Sequence, residues 1–370
     1  MANDQATVRV LINALHARSG GGITYLRNML PRLAADPGLD VHLCLHDEQA
    51  PDIPGGDAVT VHLAPCGSGF YATLWWEQLG LPGLARRIGA DVVFSPANFG
   101  PLFARRPVVL LRNALDVGKT ETRLGKRLYW AVLSLMTSLS LRRAPRAIAV
   151  SDYARRALTR LVSQSVAARV AVISHGVDDA FSPPDGDGAR GDFLLAVGDL
   201  YIQKNFLVLI EAMARLHAER SELKLKIAGR PVDPGYAADM KTAIADHGLE
   251  DAVELLGHVA PADLVELYRS CAVFVFPSLV ETFGNPLLEA MACGAPIVCS
   301  DATAMPDVVG DAALLFDPTN VDALTAALQT ILDDDERRRD LGVRARARAA
   351  QFSWDETARQ TAEVLNDAAD

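Results

Sequence analysis

Short apolar runs alternate with longer amphipathic stretches along the whole 370-residue chain. This alternation is typical of βαβ units that build a parallel sheet, so the sequence predicts an α/β protein. In the first half, helical periodicity is clear at Ile23–Ala35 and Asp152–Leu161. The predicted strands of this half are Val8–Asn13, Val41–Leu45, Val59–Leu63, Val92–Ser95, Val108–Leu111, Ala147–Val150 and Val170–Ile173.

A segment rich in turn formers, Ser182–Gly191, interrupts the alternation and is typical of a linker. The pattern then restarts, with predicted strands at Phe193–Val197, Leu223–Ile227, Val253–Leu256, Val273–Phe276, Ile297–Cys299 and Ala313–Phe316. A chain of this length exceeds what one hydrophobic core usually covers. We therefore expect two doubly wound, Rossmann-like domains (1–180 and 192–351), a linker (181–191), and a terminal helix (352–370) packing back toward the first domain.

The loops after the strands are the expected place for a site, because open α/β sheets bind ligands at the carboxyl ends of their strands. Two such domains would also leave a cleft between them. The densest group of candidate residues follows Val273–Phe276. Pro286 suits the first turn of a short helix there, and Gly294 suits its end. The amides at the start of that helix can receive phosphate or ribose oxygens.

Two carboxylates accompany this predicted helix, Glu281 in the preceding loop and Glu289 near its first turn. Both can face one ligand and accept hydrogen bonds from sugar hydroxyls. They can equally do no more than complement the helix dipole, and the pattern leaves both interpretations open. Lys204, where a strand gives way to a helix, is either a cation for a diphosphate or a surface lysine. The glycines at 20–22 follow the first strand but lack the full dinucleotide-binding motif.

The net charge of −10 is unevenly distributed. The first 175 residues hold 20 lysines and arginines against 12 acids, whereas the remainder holds 16 against 34. A basic first half favours an anionic partner such as a phosphorylated substrate or a lipid surface, unless the two halves simply differ in charge. Basic residues interleaved with base-stacking aromatics are absent, so nucleic acid is not expected. Five cysteines without a CxxC pair favour a reducing, cytoplasmic location.

Cations within residues 119–146 bracket an apolar run, Leu128–Leu141, that carries Tyr129 and Trp130 at its edge. Basic flanks with interfacial aromatics suit binding to an anionic membrane surface, and a core helix with basic ends is the alternative. The run has 14 residues and the chain begins without a signal core, so we expect neither a spanning helix nor secretion. Trp75–Gln78 is expected to wall an acceptor site or to pack in the core.

The segment E-T-F-G-N-P-L-L-E, Glu281–Glu289, closely resembles the signature of the retaining nucleotide-sugar glycosyltransferases of family 4. The resemblance spans nearly the whole chain and is stronger in its second half. It implies the GT-B fold, in which two Rossmann-like domains face a central cleft, the first binding the acceptor and the second the donor. The other matching segments are Gly20–Tyr25, Val150-Ser151, Ile173–Asp178, Val197–Asn205, Leu256-Gly257 and Phe352–Trp354.

The same resemblance implies residue roles. Glu289 would bind the donor ribose, while Glu281 and Lys204 would be the catalytic pair, one on the transferred sugar and the other on the diphosphate. The remaining implied donor-binding residues are Gly21, Gly22, Gly198, Arg230, Phe283, Gly284, Asn285, Pro286 and Leu287.

Two positions depart from the family pattern. Asp199 stands where an arginine is common, and Arg230 is its candidate substitute or a surface arginine. Arg112-Asn113 replaces a common His-Asp pair, so Arg112, Asn113 and Asn98 are candidates for the acceptor side.

The implied chemistry is same-face displacement of a nucleoside diphosphate from an anomeric carbon. The carboxylate pairs that could announce a metal lie in the linker, Asp185–Asp187, or in a charged stretch, Asp333–Asp335, and no cofactor is expected. We expect hexosyl transfer, with mannosyl favoured, from a GDP- or UDP-linked sugar to a glycan or lipid-linked glycan, in the cytoplasm or at the inner face of the cytoplasmic membrane. A nucleotide-sugar epimerase or hydrolase, and a non-catalytic sugar-nucleotide-binding scaffold, are the alternatives.

Overall fold

The computed structural model describes residues 7–17, 20–50, 58–67, 69–113, 124–184 and 190–370. The chain divides into two compact units, one of Met1–Gly176 with Ser353–Asp370 and the other of Val177–Phe352. The division falls a few residues before the turn-rich segment, whose residues 185–189 lie outside the described ranges. Each unit is built on a parallel sheet with helices between the strands, which confirms the predicted α/β class.

The first unit contains a seven-stranded sheet. Its strands are β1 Val8–Asn13, β2 Leu39–Leu45, β3 Thr60–Leu63, β4 Val92–Ser95, β5 Pro107–Leu111, β6 Ala147–Ala149 and β7 Val170–Val172. They lie in the order β3-β2-β1-β4-β5-β6-β7, and every pairing is parallel. The order of strand addition therefore reverses between β1 and β4, where Val10 lies opposite Val92.

The second unit contains a six-stranded sheet. Its strands are β8 Phe193–Val197, β9 Lys224–Ala228, β10 Val253–Gly257, β11 Val273–Phe276, β12 Ile297–Ser300 and β13 Leu314–Phe316. They lie in the order β10-β9-β8-β11-β12-β13, again all parallel. The reversal falls between β8 and β11, where Leu194 lies opposite Val273. Such a reversal opens a crevice at the carboxyl ends of the two strands.

Helices connect these strands. Those of the first unit are α1 Gly21–Ala34, α2 Phe70–Ile88, α3 Leu124–Arg143, α4 Asp152–Leu158, α5 Gln164–Ala167 and the terminal α13 Trp354–Ala369. Those of the second are α6 Phe206–His217, α7 Pro234–Asp246, α8 Pro261–Ser270, α9 Asn285–Ala292, α10 Met305–Val309, α11 Val321–Leu332 and α12 Asp335–Ala349. Single 3-10 turns occur at Asp47–Gln49 and Ile202–Lys204.

The terminal helix α13 belongs to the first unit, where it packs on α1 and on the sheet. Ser353 caps its start, because the Ser353 hydroxyl accepts hydrogen bonds from the amides of Asp355 and Glu356. The buried ring of Trp354 stacks on His175 at 5.4 Å and meets the edge of Tyr25 at 5.9 Å. This aromatic cluster fixes the returning end of the chain against the first unit.

The predicted strands are all present, with ends that differ by two residues at most. The predicted helix Asp152–Leu161 is too long, because Thr159 leaves the helical conformation and the helix ends at Leu158. All five cysteines are free thiols. Among the helices of the described ranges, none has the length and apolar character needed to cross a membrane.

Candidate functional site

The reversal of strand order in the second sheet brings Lys204 and Glu281 together. Lys204 ends the 3-10 turn after β8, and Glu281 lies in the loop after β11. The Lys204 Nζ donates to Glu281 Oε1 at 2.7 Å, and the two side chains are only 9% and 18% exposed. Burial acts to lower the pKa of Lys204, but the charge of Glu281 and the Tyr201 hydroxyl outweigh it and raise that pKa. A charged ammonium group is therefore held at the carboxyl end of this sheet.

Hydrogen bonds between the two loops hold this pair in place. Asn205 adopts a left-handed conformation at φ 56°, and the Nδ2 of its side-chain amide donates to the carbonyls of Pro277 at 3.1 Å and Pro318 at 2.8 Å. The Leu279 amide donates to the Gln203 carbonyl at 2.8 Å. Together these bonds join the turn that carries Lys204 to the loop that carries Glu281.

Thr303, which the sequence analysis did not identify, holds the Glu281 backbone. The Thr303 hydroxyl accepts a 3.0 Å hydrogen bond from the Glu281 amide, and Thr303 itself has a positive φ of 57°. A non-glycine residue in that conformation is uncommon and often lies near a site. Nothing in the local sequence pattern indicates it.

Helix α9 begins beside Glu281, as the sequence predicted. Gly284 caps it at φ 97°, a conformation in which most residues are strained, and Pro286 lies in its first turn. The Leu287 amide donates to the Gly284 carbonyl at 2.9 Å, so the first helical turn has already closed there. The contact of Leu287 with the sugar or phosphate stays a prediction. Phe283 is buried, with its ring 5.9 Å from that of Phe352.

Glu289 lies one turn into α9 and is half-buried. The Tyr268 hydroxyl donates to Glu289 Oε2 at 2.9 Å. Burial raises the pKa of Glu289 to about 7, and the hydrogen bond from Tyr268 opposes that rise. The charges of Asp178 and Lys204 also act on Glu289, so it shares the electrostatic environment of the Lys204–Glu281 pair. Tyr268 was missed because no motif surrounds a tyrosine inside an amphipathic helix.

Asp199 and Arg230 meet next to this group. Arg230 follows β9, and its Nη2 and Nε donate to Asp199 Oδ2 at 2.9 Å and Oδ1 at 3.2 Å. The Arg230 amide donates to the same carboxylate at 3.1 Å. The Arg230 side chain is nonetheless 46% exposed. Gly198, which precedes Asp199, lies against Lys204: an added Cβ there would lie 2.8 Å from Lys204 Cε.

The candidates of the first unit also converge. Asn98, after β4, accepts from the amides of Arg112 at 2.9 Å and Asn113 at 3.0 Å, and donates to the Asn113 carbonyl at 2.7 Å. The Arg112 guanidinium donates to the Gly21 carbonyl at 2.9 Å. An added Cβ at Gly22 would lie 2.9 Å from that guanidinium. The glycine loop and the acceptor-side candidates therefore lie together at the carboxyl ends of β1, β4 and β5.

The segment Trp75–Gln78 divides between two environments. Glu77 is fully buried and accepts hydrogen bonds from Asn13 at 2.6 Å and interacts with His16 at 3.2 Å. Trp75 is 68% exposed, whereas Trp76 packs against the buried core, so the alternative of core packing holds for part of the segment only. The sequence did not indicate the polar network around Glu77, because its partners come from distant segments.

Helices α2 and α3 share an exposed apolar face, which we call the α2–α3 apolar face. The rings of Phe70 and Tyr129 lie 5.8 Å apart and join the two helices. Its exposed members are Phe70, Tyr71, Trp75 and Leu79 of α2 and Leu128, Tyr129, Val132 and Leu135 of α3. The predicted basic flank at 119–123 and the Lys126 side chain lie outside the described residues. At this face α3 is exposed, whereas Thr137, Ser138, Ser140 and Leu141 nearer its end are buried.

Within the described ranges, no three or more His, Cys, Asp or Glu side chains are arranged to hold a metal ion. The predicted carboxylate pair at 185–187 lies outside the described residues.

Two family profiles match the chain. The one described as Glycosyltransferase Family 4 matches residues 19–181, and the one described as Glycosyl transferases group 1 matches residues 184–348. O-antigen chain mannosyltransferase B of Escherichia coli is 39% identical over 46% of this chain and 44% of its own length. D-inositol 3-phosphate glycosyltransferase of Corynebacterium glutamicum is 33% identical over 54% of this chain and 52% of its own. The chain thus spans about half the length of these curated relatives.

Solved structures resemble the chain over almost its full length. Sucrose-phosphate synthase of Thermosynechococcus elongatus aligns with a TM-score of 0.81 at 21% identity, covering 97% of this chain and 98% of that one. Anabaena HepE, solved in complex with UDP and glucose, aligns with a TM-score of 0.75 at 19% identity, covering 97% and 99%. At such identities the likeness establishes a shared fold.

Proposed function

We propose that this chain, which belongs to the family 4 glycosyltransferases of GT-B fold, transfers a hexosyl group from a nucleotide-diphosphate sugar to a glycan or lipid-linked glycan, with retention at the anomeric carbon. The observation that carries the proposal is the Lys204–Glu281 pair at the reversal of strand order. Glu289 and the start of α9 lie beside that pair. A crevice of this kind is where doubly wound sheets bind nucleotides.

Each donor-side residue receives a role from its chemistry. Glu289 accepts hydrogen bonds from the ribose hydroxyls, and Glu281 from the hydroxyls of the transferred sugar. Lys204 faces the diphosphate, where its ammonium compensates negative charge. Gly284, Asn285 and Pro286 form the helix start at which backbone groups meet sugar and phosphate.

The reaction follows from where charge develops. The bond from the anomeric carbon to the phosphate oxygen breaks, the acceptor oxygen bonds to the same face of that carbon, and the departing phosphate takes the acceptor's proton. Negative charge grows on the leaving diphosphate, so a preorganised Lys204 stabilises the transition state more than the bound substrate. Because fixed cations of the chain supply this compensation, we propose that no metal is required.

Arg230 is the proposed second cation for the diphosphate. Asp199 accepts hydrogen bonds from Nε and Nη2 of the guanidinium, and 46% of the Arg230 side chain is exposed. A guanidinium has five donors, so it can bind a carboxylate and still donate to a phosphate. Asp199 would thereby orient Arg230 in place of the arginine common in the family.

The donor and acceptor are proposed from the relatives. A mannosyltransferase of O-antigen synthesis favours a mannosyl donor and a cell-surface polysaccharide product. A neighbour of the same fold is solved with UDP, so both GDP- and UDP-linked sugars are candidates. On the acceptor side, Arg112, Asn113 and Asn98 are the proposed contacts. The loop of Gly21 and Gly22, beside Arg112, is proposed to bind the phosphates of the donor.

We further propose that the protein acts at the cytoplasmic face of the membrane. The α2–α3 apolar face carries aromatic rings and an exposed Arg127, and the first 175 residues are basic. Exposed apolar and aromatic side chains next to a cation suit an anionic lipid interface.

A donor screen tests the activity. UDP-, GDP- and ADP-linked hexoses are added to the protein, and the melting temperature is followed, since a ligand that binds only the folded state raises it. The stabilising donor is then incubated with and without a glycan acceptor, in the presence and absence of EDTA. We expect a glycoside of retained configuration, unaffected by EDTA. Turnover that needs no acceptor would instead indicate a hydrolase or epimerase, and binding without turnover a scaffold.

A variant locates the donor site. Glu289→Ala should weaken binding of the nucleoside diphosphate by about 1.5–3 kcal/mol, because a hydrogen bond to a charged group is lost. Glu254→Ala, an exposed acid on β10 of the same sheet, is the matched control. Equal affinities of the folded Glu289→Ala variant and the unaltered protein would remove the assigned role.

A further inference from the structure

The Tyr268 hydroxyl is directed at one oxygen of Glu289. It donates to Oε2 at 2.9 Å, and this hydrogen bond joins helix α8 to helix α9. Tyr268 is completely buried, whereas Glu289 is only half-buried. The bond therefore approaches the carboxylate from the interior of the unit, and the accessible part of the carboxylate is the part that a ligand can reach.

The Tyr268 side chain is held by its neighbours. Its ring meets the edge of Phe274 at 5.3 Å and of Phe181 at 5.9 Å, and both pairs are T-shaped. The Tyr268 carbonyl, at the end of α8, accepts from the Arg190 guanidinium at 3.2 Å. Ring and backbone are both fixed, so the hydroxyl occupies one position. A hydroxyl that packing already holds in place can orient the carboxylate that accepts its hydrogen bond. No further side-chain entropy of the tyrosine is then lost when a ligand binds.

We infer that Tyr268 is a positioning residue for donor binding, which occupies Oε2 of Glu289 so that the carboxylate is presented, charged and in one orientation, to the two ribose hydroxyls of a nucleoside diphosphate. The inference rests on the proposed function, since it takes Glu289 to be the ribose ligand. Tyr268 itself touches no substrate in this account.

The charges around Glu289 make the effect measurable. Four titratable side chains from different elements act on the Glu289 carboxyl group. They are Tyr268 of α8, Asp178 at the start of the second unit, Lys204 of the turn after β8, and Cys293 at the end of α9. Burial raises the pKa of Glu289 to about 7, and the Tyr268 hydrogen bond lowers it. Burial also raises the pKa of Tyr268 far above its usual value, so this hydroxyl stays a donor.

The sign follows from these opposing effects. A protonated carboxyl group is a poorer acceptor for ribose hydroxyls than a carboxylate. Affinity that depends on ribose should therefore rise as the pH increases through the pKa of Glu289. Removing the Tyr268 hydroxyl removes a bond that favours the charged form, so the rise should move to higher pH.

The test measures dissociation constants by calorimetry between about pH 5.5 and 8.5. The probes are UDP and GDP, each compared with its 2′,3′-dideoxy analogue. The dissociation constant of the dideoxy analogue divided by that of the parent nucleotide reports the contribution of the ribose hydroxyls alone. Titration of the phosphates affects both constants equally and cancels in this ratio. We expect Tyr268→Phe to reduce this ratio about tenfold at neutral pH and to shift its midpoint upward.

Two further variants separate positioning from stability. Tyr236→Phe removes another buried hydroxyl of the same unit, which accepts from the Leu207 amide and does not face Glu289, and should leave the ratio and its midpoint unchanged. Glu289→Gln should abolish the pH dependence, and adding Tyr268→Phe to it should then change the ratio little. If Tyr268→Phe does not fold, Glu289→Gln alone still tests whether the pH dependence arises from this carboxyl group.

The outcomes distinguish this inference from the proposed function. A Tyr268→Phe variant that binds the dideoxy analogues and the parent nucleotides like the unaltered protein, with the same midpoint, overturns the positioning role while Glu289 keeps its own. A pH-independent ratio in the unaltered protein also overturns it. If neither UDP nor GDP binds at all, the proposed function fails and the inference falls with it.

Discussion

Asp199 and Arg230 form a two-point ion pair, with Nη2 of the arginine 2.9 Å from Oδ2 and Nε 3.2 Å from Oδ1 of the aspartate. The pair stands where the family pattern places a single arginine. An acid in that position would repel a diphosphate unless a cation covers it. Arg230 neutralises Asp199 and keeps half of its own side chain exposed, so the exchange preserves a guanidinium near Lys204.

Arg230→Ala should therefore lower catalytic efficiency, and not only remove an exposed ion pair. An exposed pair contributes about 0–1 kcal/mol to stability, so the melting temperature should change little. Loss of the diphosphate contact should lower kcat/KM for donor about tenfold or more. Arg215→Ala, which removes an exposed, ion-paired arginine of α6, serves as the control. Equal kcat/KM values for the two variants would make Arg230 a surface residue.

Lys204→Ala should lower turnover more than donor affinity. The leaving diphosphate carries its largest charge in the transition state, so we expect kcat to fall about 100-fold while the dissociation constant of the donor changes less. Lys241→Ala, an exposed lysine of α7, should have no effect. Turnover that survives in Lys204→Ala with only a higher KM would show a ground-state role.

Glu289 should make stability depend on pH in the absence of nucleotide. Its folded-state pKa of about 7 lies above the ordinary value of 4.5, so the folded protein binds more protons between these limits. Its contribution to stability is therefore lost as the pH rises from about 4.5 to 7. The melting temperature of Glu289→Gln minus that of the unaltered protein should therefore be larger at about pH 8 than at about pH 5. A difference that is the same at both pH values would contradict this.

Asn205 should tolerate glycine better than alanine. Its left-handed backbone costs a residue with a Cβ roughly 1–2 kcal/mol, which glycine avoids. Both substitutions lose the hydrogen bonds to Pro277 and Pro318, each of about 1 kcal/mol. Urea unfolding should thus rank the unaltered protein above Asn205→Gly, and Asn205→Gly above Asn205→Ala. Equal free energies of unfolding for the two variants would show that the backbone conformation contributes nothing.

The α2–α3 apolar face should bind vesicles that contain anionic lipid. Each lysine or arginine near such a surface adds about 1 kcal/mol, and the attraction is screened over about 10 Å at 0.1 M salt. Co-sedimentation should decrease with salt and with Trp75→Ser or Leu128→Ser. Val343→Ser, equally exposed at 63% but in the second unit, should bind normally. Equal binding to neutral and anionic vesicles, or none at low salt, would refute the proposal.

Much of the fold was predictable because a buried strand appears in the sequence as a short continuous run of apolar residues. The strands at the centre of a doubly wound sheet are covered on both faces, so runs such as Val273–Phe276 are apolar throughout and their ends are marked by turn residues. The start of α9 was predictable for the same reason, since Gly284 and Pro286 satisfy local backbone requirements. The end of α4 was mispredicted because an apolar residue at 161 continued the pattern after the hydrogen bonding had stopped.

The acids and the lysine of the site could be identified from their motif, but their contacts could not. Lys204 and Glu281 are separated by 77 positions and meet only because β8 and β11 are neighbours, although two strands come between them in the chain. The Asp199–Arg230 and Tyr268–Glu289 bonds arise in the same way, from loops and helices brought together by sheet order and packing. Hydrophobic periodicity specifies which residues a strand buries, whereas the partner of a polar side chain depends on which strands become adjacent, and that is settled only when the whole sheet packs.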